Sequence, residues 1–145
     1  MTVRLGVIGA GKIVRVRHLP EAKSNPNVET IAICDAVQAR ANEMAEEYHC
    51  KAYTDYKEML KNPTIDAVVV AATNATHAVM TIDALNAGKH VLCEKPMAIR
   101  LDDAQKMIDA AENNSKQLMI GHNQRLEIGH KKAKEIIQSG KLGKV

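Results

Sequence analysis

A glycine-containing turn near the start of the chain is the first segment whose residue types could do chemistry. It runs from Gly9 to Ile13 with Gly11 between them, directly after an apolar run at 3–8 that predicts a β-strand. In dinucleotide-binding folds, the first glycine permits a tight turn and the second lets the backbone approach a pyrophosphate at a helix N-terminus. Val14 stands where a third glycine would allow close helix–strand packing. The turn therefore predicts an anion site, and the alternative is an ordinary turn.

An acidic residue ends the next predicted strand. Asp35 follows the apolar run 28–34, where the dinucleotide fingerprint expects an acid for the adenosine ribose. Its carboxylate would accept hydrogen bonds from the ribose hydroxyls and repel a 2′-phosphate. No basic residue follows within 36–38, which leaves no obvious partner for such a phosphate. The pattern favours NAD over NADP, and the alternative is that Asp35 caps a helix beginning at Ala36.

A lysine beyond the fifth predicted strand is the best candidate for proton transfer. Oxidation of an alcohol by NAD needs a hydride acceptor and a group that takes the hydroxyl proton. Lys95 comes just after the strand predicted at 90–93, and a positively charged nicotinamide ring nearby would favour its proton-accepting form. The alternative is an exposed lysine that merely follows a strand.

Two histidines also lie near predicted strand ends. His122 directly follows the sixth strand, and it either reaches the ligand pocket or stays outside it. His77 lies in the first turns of a predicted helix, where it suits hydrogen bonding to the adjacent loop, and we interpret it as structural. The histidines that belong to no group of chemically related residues are His18, His49, His90 and His130.

The elements that must position these residues alternate between short apolar runs and amphipathic stretches. Strands are predicted at 3–8, 28–34, 51–53, 67–71, 90–93 and 117–121. Helices are predicted at 12–22, 36–48, 55–60, 75–87, 101–113 and 125–139, the first shortened or kinked by Pro20 and the fifth begun by an Asp cap. This alternation predicts an α/β fold, a Rossmann-type doubly wound sheet of about six parallel strands with helices on both faces. Ligands of such sheets bind beyond the carboxyl ends of the strands.

Length and composition exclude several classes of function. The chain has 145 residues, 46% of them hydrophobic and 26% charged, which suits one domain. A net charge of +3, three Tyr, no Trp and no Phe do not suit nucleic-acid binding, and the apolar run 67–72 is far too short to span a membrane. Three cysteines without a CxxC pair argue against disulfides or zinc, and without a signal-peptide pattern we expect a cytoplasmic protein.

Six short segments together resemble the N-terminal half of the Gfo/Idh/MocA oxidoreductases. They are residues 8–13, 18–20, 34–35, 72–77, 87–96 and 121–125. The most specific is Ala-Gly-Lys-His-Val at 87–91, which runs into Glu-Lys-Pro at 94–96. Where the family usually has Thr-Pro-Asn after the fourth strand, this chain has Ala-Thr-Asn at 72–74, so the rigid turn is loosened there.

The resemblance implies roles for particular residues. Those expected to bind the cofactor NAD are Gly9, Gly11, Lys12, Ile13, Asp35, Asn74, Glu94 and Lys95. Asn74 would lie along the cofactor, Glu94 and Lys95 would lie near the nicotinamide and the substrate, and Asn123 and Gln124 would border the substrate pocket. The implied substrate is a small molecule, a polyol, sugar, cyclitol or related carbonyl compound.

The resemblance also implies a second domain. We predict a dinucleotide-binding domain at 1–123, and a helix and lead-in at 124–145 toward a substrate-binding domain that this chain lacks. In the family that domain carries a catalytic Asp-x-x-x-His pair and the subunit interface. We therefore expect this chain alone to be inactive, and a homo-oligomer only when the second domain is present. The alternative function is a non-catalytic module that binds or senses a dinucleotide.

Overall fold

The computed structural model, which describes residues 2–144, contains one sheet of six parallel strands. The strands are β1 (Val3–Ile8), β2 (Val28–Cys34), β3 (Lys51–Tyr53), β4 (Ala67–Val70), β5 (His90–Cys93) and β6 (Leu118–Ile120). Their spatial order is β3-β2-β1-β4-β5-β6, so the chain reverses direction across the sheet between β1 and β4. The predicted doubly wound fold is confirmed, and its ligand-binding crevice is expected at that reversal.

The strand register brings the predicted site residues to one edge of the sheet. Ile8 pairs with both Cys34 and Val70, and Cys93 pairs with both Val70 and Ile120. The last residues of these five strands therefore form one row. Each segment that follows a strand, and that carries a candidate site residue, leaves the sheet at the same edge.

Residues 2–144 form six α-helices, of which five connect the strands and the sixth follows β6. They are α1 (Leu19–Ser24), α2 (Gln38–Glu47), α3 (Tyr56–Leu60), α4 (His77–Asn86), α5 (Leu101–Asn113) and α6 (Ile128–Gln138). Asp55 caps α3 by accepting the N–H of Lys57. The Asp cap predicted for α5 is wrong, because Arg100 precedes that helix without a side-chain cap. Asp102 and Asp103 instead lie in its first turn, where their negative charges interact favourably with the positive end of the helix dipole.

The first helical region differs from the prediction at Pro20. A π-helical segment, Val14–His18, precedes α1, and the N–H of Leu19 donates to the carbonyl of Val14. Pro20 lies at the start of α1, where a missing N–H disrupts a helix least, and the helix continues to Ser24. Val14 is fully buried, so the valine at the third-glycine position packs into the core at the first residue of the π-helical segment.

Two aliphatic layers cover the two faces of the sheet, since successive residues of a strand point to opposite sides. On one side Val7, Leu19, Ile33 and Met44 pack together with α1 and α2. On the other side the core joins the sheet to α3, α4 and α5 through Ile8, Val68, Val70, Leu85 and Met107. Val7 and Ile8 thus anchor β1 in both layers, immediately before the glycine turn.

The last helix lies outside these layers. A 3-10 turn at Asn123–Leu126 follows β6, and α6 begins at Ile128 with no buried residue along its length. No helix within residues 2–144 is long and apolar enough to cross a membrane.

Candidate active site

The two glycines of the turn after β1 have different surroundings. Gly9 has a φ of +102°, and a Cβ built there would lie 2.5 Å from the carbonyl oxygen of Ala71. Its N–H also donates to the carbonyl of Cys34 at 2.7 Å. A Cβ on Gly11 would meet no atom within 4 Å. Gly9 is therefore needed for the backbone packing of the turn, whereas Gly11 leaves open space beside it that a phosphate group would fit.

Asp35 joins the glycine turn to the start of α2. One carboxylate oxygen accepts the N–H of Ala10 at 2.8 Å, and the other accepts the N–H of Val37 at 2.8 Å. The side chain is only 9% exposed. Because Asp35 holds the bend before the helix, α2 begins at Gln38 and the predicted helix start at Ala36 is wrong. The oxygen that accepts from Ala10 can accept a second hydrogen bond, since a carboxylate oxygen accepts about two.

A basic residue lies beside Asp35, so the inference that no partner for a phosphate is near was wrong. The guanidinium of Arg40 is 3.1 Å from the carboxylate of Asp35, with half of the arginine side chain exposed. The three residues that follow Asp35 in the sequence include no basic residue, so the local sequence does not indicate this partner. Since Arg40 lies in the first turn of α2, the periodicity of that helix would have placed it near the end of β2.

A cleft of about 410 Å³ opens where the turns after β1, β2 and β4 meet. Gly9, Gly11, Asp35 and Arg40 line one part of it, and Thr73, Thr76 and Met80 line another. Cys34 also contributes to its wall, and burial raises the pKa of this thiol to about 11. Cys34 is therefore a neutral thiol near pH 7 and is unsuited to act as a nucleophile.

The segment after β4 forms a short 3-10 turn before α4. Asn74 begins this turn and is exposed, and the hydroxyl of Thr76 donates to the carbonyl of Thr73 at 2.8 Å. His77 is 1% exposed, and its ring nitrogens are 2.8 Å from the carbonyl oxygen of Pro96 and 3.3 Å from that of Ala72. The predicted structural role of His77, a bond to the adjacent loop, agrees with these contacts.

The segment after β5 brings Glu94 against a histidine that sequence reasoning left without a role. His18 Nε2 is 2.9 Å from Glu94 Oε1, and both side chains are 15% exposed. The other oxygen of Glu94 accepts the backbone N–H of Lys95 at 3.1 Å. The Lys95 side chain is exposed, and its Nζ has no hydrogen-bond or ion-pair partner among residues 2–144.

Three of the predicted site residues, Gly9, Gly11 and Asp35, line the cleft. The others lie at the same edge of the sheet without lining the cleft; they are Lys12, Ile13, Asn74, Glu94, Lys95, Asn123 and Gln124. Lys12 and Ile13 are exposed at the start of the first helical region, and Ile13 is 40% exposed. Asn123 and Gln124 lie in the exposed turn after β6, where the carbonyl of Gln124 accepts a bond from His130 at 2.8 Å. The structure therefore brings the glycine turn and Asp35 together in the cleft, and leaves Asn123 and Gln124 beyond it.

Lys89 lies in the motif most specific to the family resemblance but at the opposite edge of the sheet. It is 6% exposed, and its Nζ donates to the carbonyls of Asn62 and Ile65, both at 2.9 Å. Burial lowers the pKa of its ammonium group. Lys89 therefore stabilises the loop before β4, while Glu94 and Lys95 of the same motif follow β5 at the other edge of the sheet.

A glycine turn bonded to an acid of the neighbouring strand, at the reversal of a doubly wound sheet, defines a dinucleotide-binding Rossmann domain. The sequence model of the Gfo/Idh/MocA proteins, described as "Oxidoreductase family, NAD-binding Rossmann fold", matches residues 3–122. This chain belongs to the Gfo/Idh/MocA oxidoreductase family.

Curated proteins and solved structures resemble nearly the whole chain. An inositol 2-dehydrogenase of Salmonella typhimurium is 36% identical over 146 residues, covering 99% of this chain and 44% of the relative. A myo-inositol 2-dehydrogenase of Thermotoga maritima is also 36% identical, covering 98% of this chain and 42% of the relative. The structure of a 3-ketoreductase from Actinomadura kijaniata, in complex with NADP and TDP-benzene, superposes with a TM-score of 0.90 at 29% identity, covering 97% of this chain and 43% of that one. The chain thus spans less than half the length of these proteins.

Proposed function

We propose that this chain is the nucleotide-binding part of an NAD-dependent oxidoreductase that transfers hydride between nicotinamide and a polyol, sugar, cyclitol or related carbonyl compound. The observation that carries the proposal is the bond from the N–H of Ala10 to Asp35, which joins the glycine turn to the acid at the strand reversal. A Cβ on Gly11 would meet no atom within 4 Å, and this open space supports the placement of a phosphate group there. Relatives named for inositol support the polyol class.

Different residues at the site would bind different parts of the cofactor and the substrate. The N–H groups of residues 11–13, at the start of a helical region, would hold the pyrophosphate. The unused acceptor capacity of Asp35 would hold the adenosine ribose, and Asn74 would lie along the cofactor. Bound NAD would supply the hydride acceptor. Lys95 would accept the substrate hydroxyl proton at Nζ, and Glu94 would lie near the nicotinamide and the substrate. Asn123 and Gln124 would border the substrate pocket.

The preference for NAD over NADP would be moderate. The carboxylate of Asp35 repels a 2′-phosphate, but the guanidinium of Arg40 lies 3.1 Å away and offsets part of that charge. Because half of the Arg40 side chain is exposed, it can turn toward a phosphate at small cost. We therefore propose NAD as the cofactor used, with weaker binding of NADP.

We also propose a domain boundary near residue 123. Residues 1–123 would form the dinucleotide-binding domain, and 124–145 would lead into a substrate-binding domain that also supplies the subunit interface. The exposure of α6 along its length supports this division, since the helix packs on neither face of the sheet. The partner is then a small-molecule substrate, and the 145-residue chain alone would bind NAD without turnover.

Calorimetric titration with NAD and NADP, followed by an assay of NADH formation from myo-inositol, tests this function. We expect the chain to bind NAD more tightly than NADP and to form no NADH. In a polypeptide extended through the second domain, Lys95→Ala should lower kcat strongly and leave NAD affinity within a few-fold. NADH formation by the 145-residue chain would contradict the proposal that turnover needs the second domain. An unchanged kcat in the extended Lys95→Ala variant would contradict the role of Lys95. Binding without turnover in the extended wild-type protein would favour a non-catalytic dinucleotide-binding module.

A further inference from the structure

The segment Glu94–Lys95–Pro96, here called the Lys95 turn, is held by two histidines from separate elements. His18 closes the π-helical segment after β1, and His77 is the first residue of α4. These elements pack on opposite faces of the sheet, because Leu19 next to His18 and Leu85 of α4 belong to different core layers. The turn is thus contacted from both sides.

His18 acts on the turn through Glu94. An ionised carboxylate can only accept, so at 2.9 Å the Nε2–H of His18 donates to Glu94 Oε1. The second carboxylate oxygen accepts the backbone N–H of Lys95 at 3.1 Å. With both side chains only 15% exposed, little water competes for these bonds. The orientation of the Lys95 backbone therefore depends on a carboxylate that His18 fixes.

His77 acts on the other end of the turn. Its Nδ1 is 2.8 Å from the carbonyl oxygen of Pro96, and its Nε2 is 3.3 Å from that of Ala72. Carbonyl oxygens only accept, so the ring donates at the shorter contact, from Nδ1–H to Pro96. The ring is 1% exposed and fills the space between the segments that follow β4 and β5. It therefore sets the distance between the loop beside Asn74 and the Lys95 turn.

We infer that His18 and His77 are positioning residues that together fix the Lys95 turn relative to the segments after β1 and β4. The inference rests on the proposed function, in which Lys95 exchanges a proton beside the nicotinamide. The Lys95 side chain is exposed and has no polar partner within residues 2–144, so its placement depends on the backbone that carries it. Proton and hydride transfer both require such placement to within a fraction of an ångström.

Hydrogen exchange at the Lys95 amide, measured by NMR without cofactor, tests the inference directly. His18→Leu and His77→Leu should each speed this exchange at least tenfold. His18→Gln keeps a donor near the position of Nε2 and His77→Asn keeps one near Nδ1, so both should restore exchange to within about threefold. His90→Leu is the matched control, because its Nδ1 accepts one backbone N–H, from Gln117, at the opposite end of β5.

Unchanged exchange at Lys95 in both leucine variants would overturn the inference. Equal acceleration in His90→Leu would also overturn it, since that would indicate general loosening. Should His77→Leu fail to fold, His18→Leu and Glu94→Ala decide the outcome. Exchange at the wild-type rate in both variants would contradict the inference that His18, through Glu94, fixes the Lys95 turn. Rescue by the Gln and Asn variants is a response that loss of packing alone would not give.

A second NMR measurement separates this inference from the proposed function. In the parent chain NAD should shift the Lys95 amide, whereas ADP, which lacks the nicotinamide, should shift only the amides near Gly11 and Asp35. The leucine variants should keep the ADP response and lose the NAD response at Lys95. A parent that responds to neither ligand would contradict the proposed function, while the exchange rates would still decide the roles of His18 and His77.

Discussion

The carboxylate of Asp35 accepts the backbone N–H of Ala10 at 2.8 Å, so the acid after β2 and the glycine turn after β1 form one bonded unit. A change at Asp35 therefore alters the turn as well as any contact with a ribose. Loss of this acceptor would leave a buried N–H without its partner, which costs roughly 1–3 kcal/mol. Cofactor preference is better tested at Arg40, where the main chain is not involved.

Alanine at the two glycines should separate folding from binding. Gly9→Ala places a Cβ 2.5 Å from the oxygen of Ala71 at a φ of +102°, and we expect it to lower the free energy of unfolding by about 3 kcal/mol or more. Gly11→Ala adds a methyl group in open space, so stability should stay within about 1 kcal/mol while NAD affinity falls at least roughly tenfold. Urea unfolding and calorimetry measure the two effects. Equal destabilisation by both variants would contradict this assignment.

Arg40 should determine how well NADP is tolerated. Arg40→Gln removes the cation beside Asp35, and we expect NADP affinity to fall by roughly tenfold while NAD affinity changes less than about threefold. Arg15→Gln is the matched control, because Arg15 pairs with Glu43, a residue that does not line the cleft. Competition titrations with both cofactors give the ratio of NAD affinity to NADP affinity for each variant. A fall in NADP affinity as large in the Arg15 variant would show that Arg40 has no specific role.

Lys89 should contribute to stability and Lys95 should not. Lys89→Met keeps the apolar stem but leaves the carbonyls of Asn62 and Ile65 without their donor, so unfolding should become easier by about 1–3 kcal/mol. Lys95→Met changes an exposed side chain, and its effect should be below about 0.5 kcal/mol. Urea denaturation of both variants gives the comparison. The reverse order would mean that the two lysines of this motif have been assigned the wrong roles.

Stability should fall at alkaline pH through two thiols, the buried Cys34 and the partly buried Cys50. Burial raises the pKa of both Cys34 and Cys50 to about 11, from an ordinary value of 9.0. Between these values the unfolded chain binds fewer protons than the folded chain, so the free energy of unfolding decreases as pH rises. Cys50→Ser removes one titrating thiol and should make this decrease shallower between pH 9 and 11. An identical pH profile for the variant would exclude a contribution from Cys50.

The sheet and the sequence-local parts of the site were predictable from the chain alone. The strands at 3–8, 28–34, 51–53 and 90–93 have the predicted bounds. Buried apolar residues end β1 and β2, and each of these strands is followed by a glycine or a polar residue. The glycine turn and Asp35 follow because their spacing reflects one βαβ unit. Helix starts were less accurate, because side-chain bonds such as that from Val37 to Asp35 shift them.

The contacts between distant segments were not predictable in this way. His18 and Glu94 are 76 residues apart, and nothing in the sequence around His18 indicates a partner. Arg40 lies near Asp35 only because a turn of helix returns it to the end of β2. Such contacts depend on strand order and on side-chain direction, which apolar patterning does not specify.

Mapping of NAD contacts by amide chemical shifts tests the central claim most directly. On titration of the labelled 145-residue chain with NAD, we expect shifts at Gly9, Gly11, Asp35, Asn74 and Lys95, with none near Lys89 at the opposite edge of the sheet. Gly11→Ala should weaken the response at all five positions. No shifts at millimolar NAD, or shifts concentrated around Lys89 and residues 62–65, would contradict a dinucleotide site at the reversal between β1 and β4.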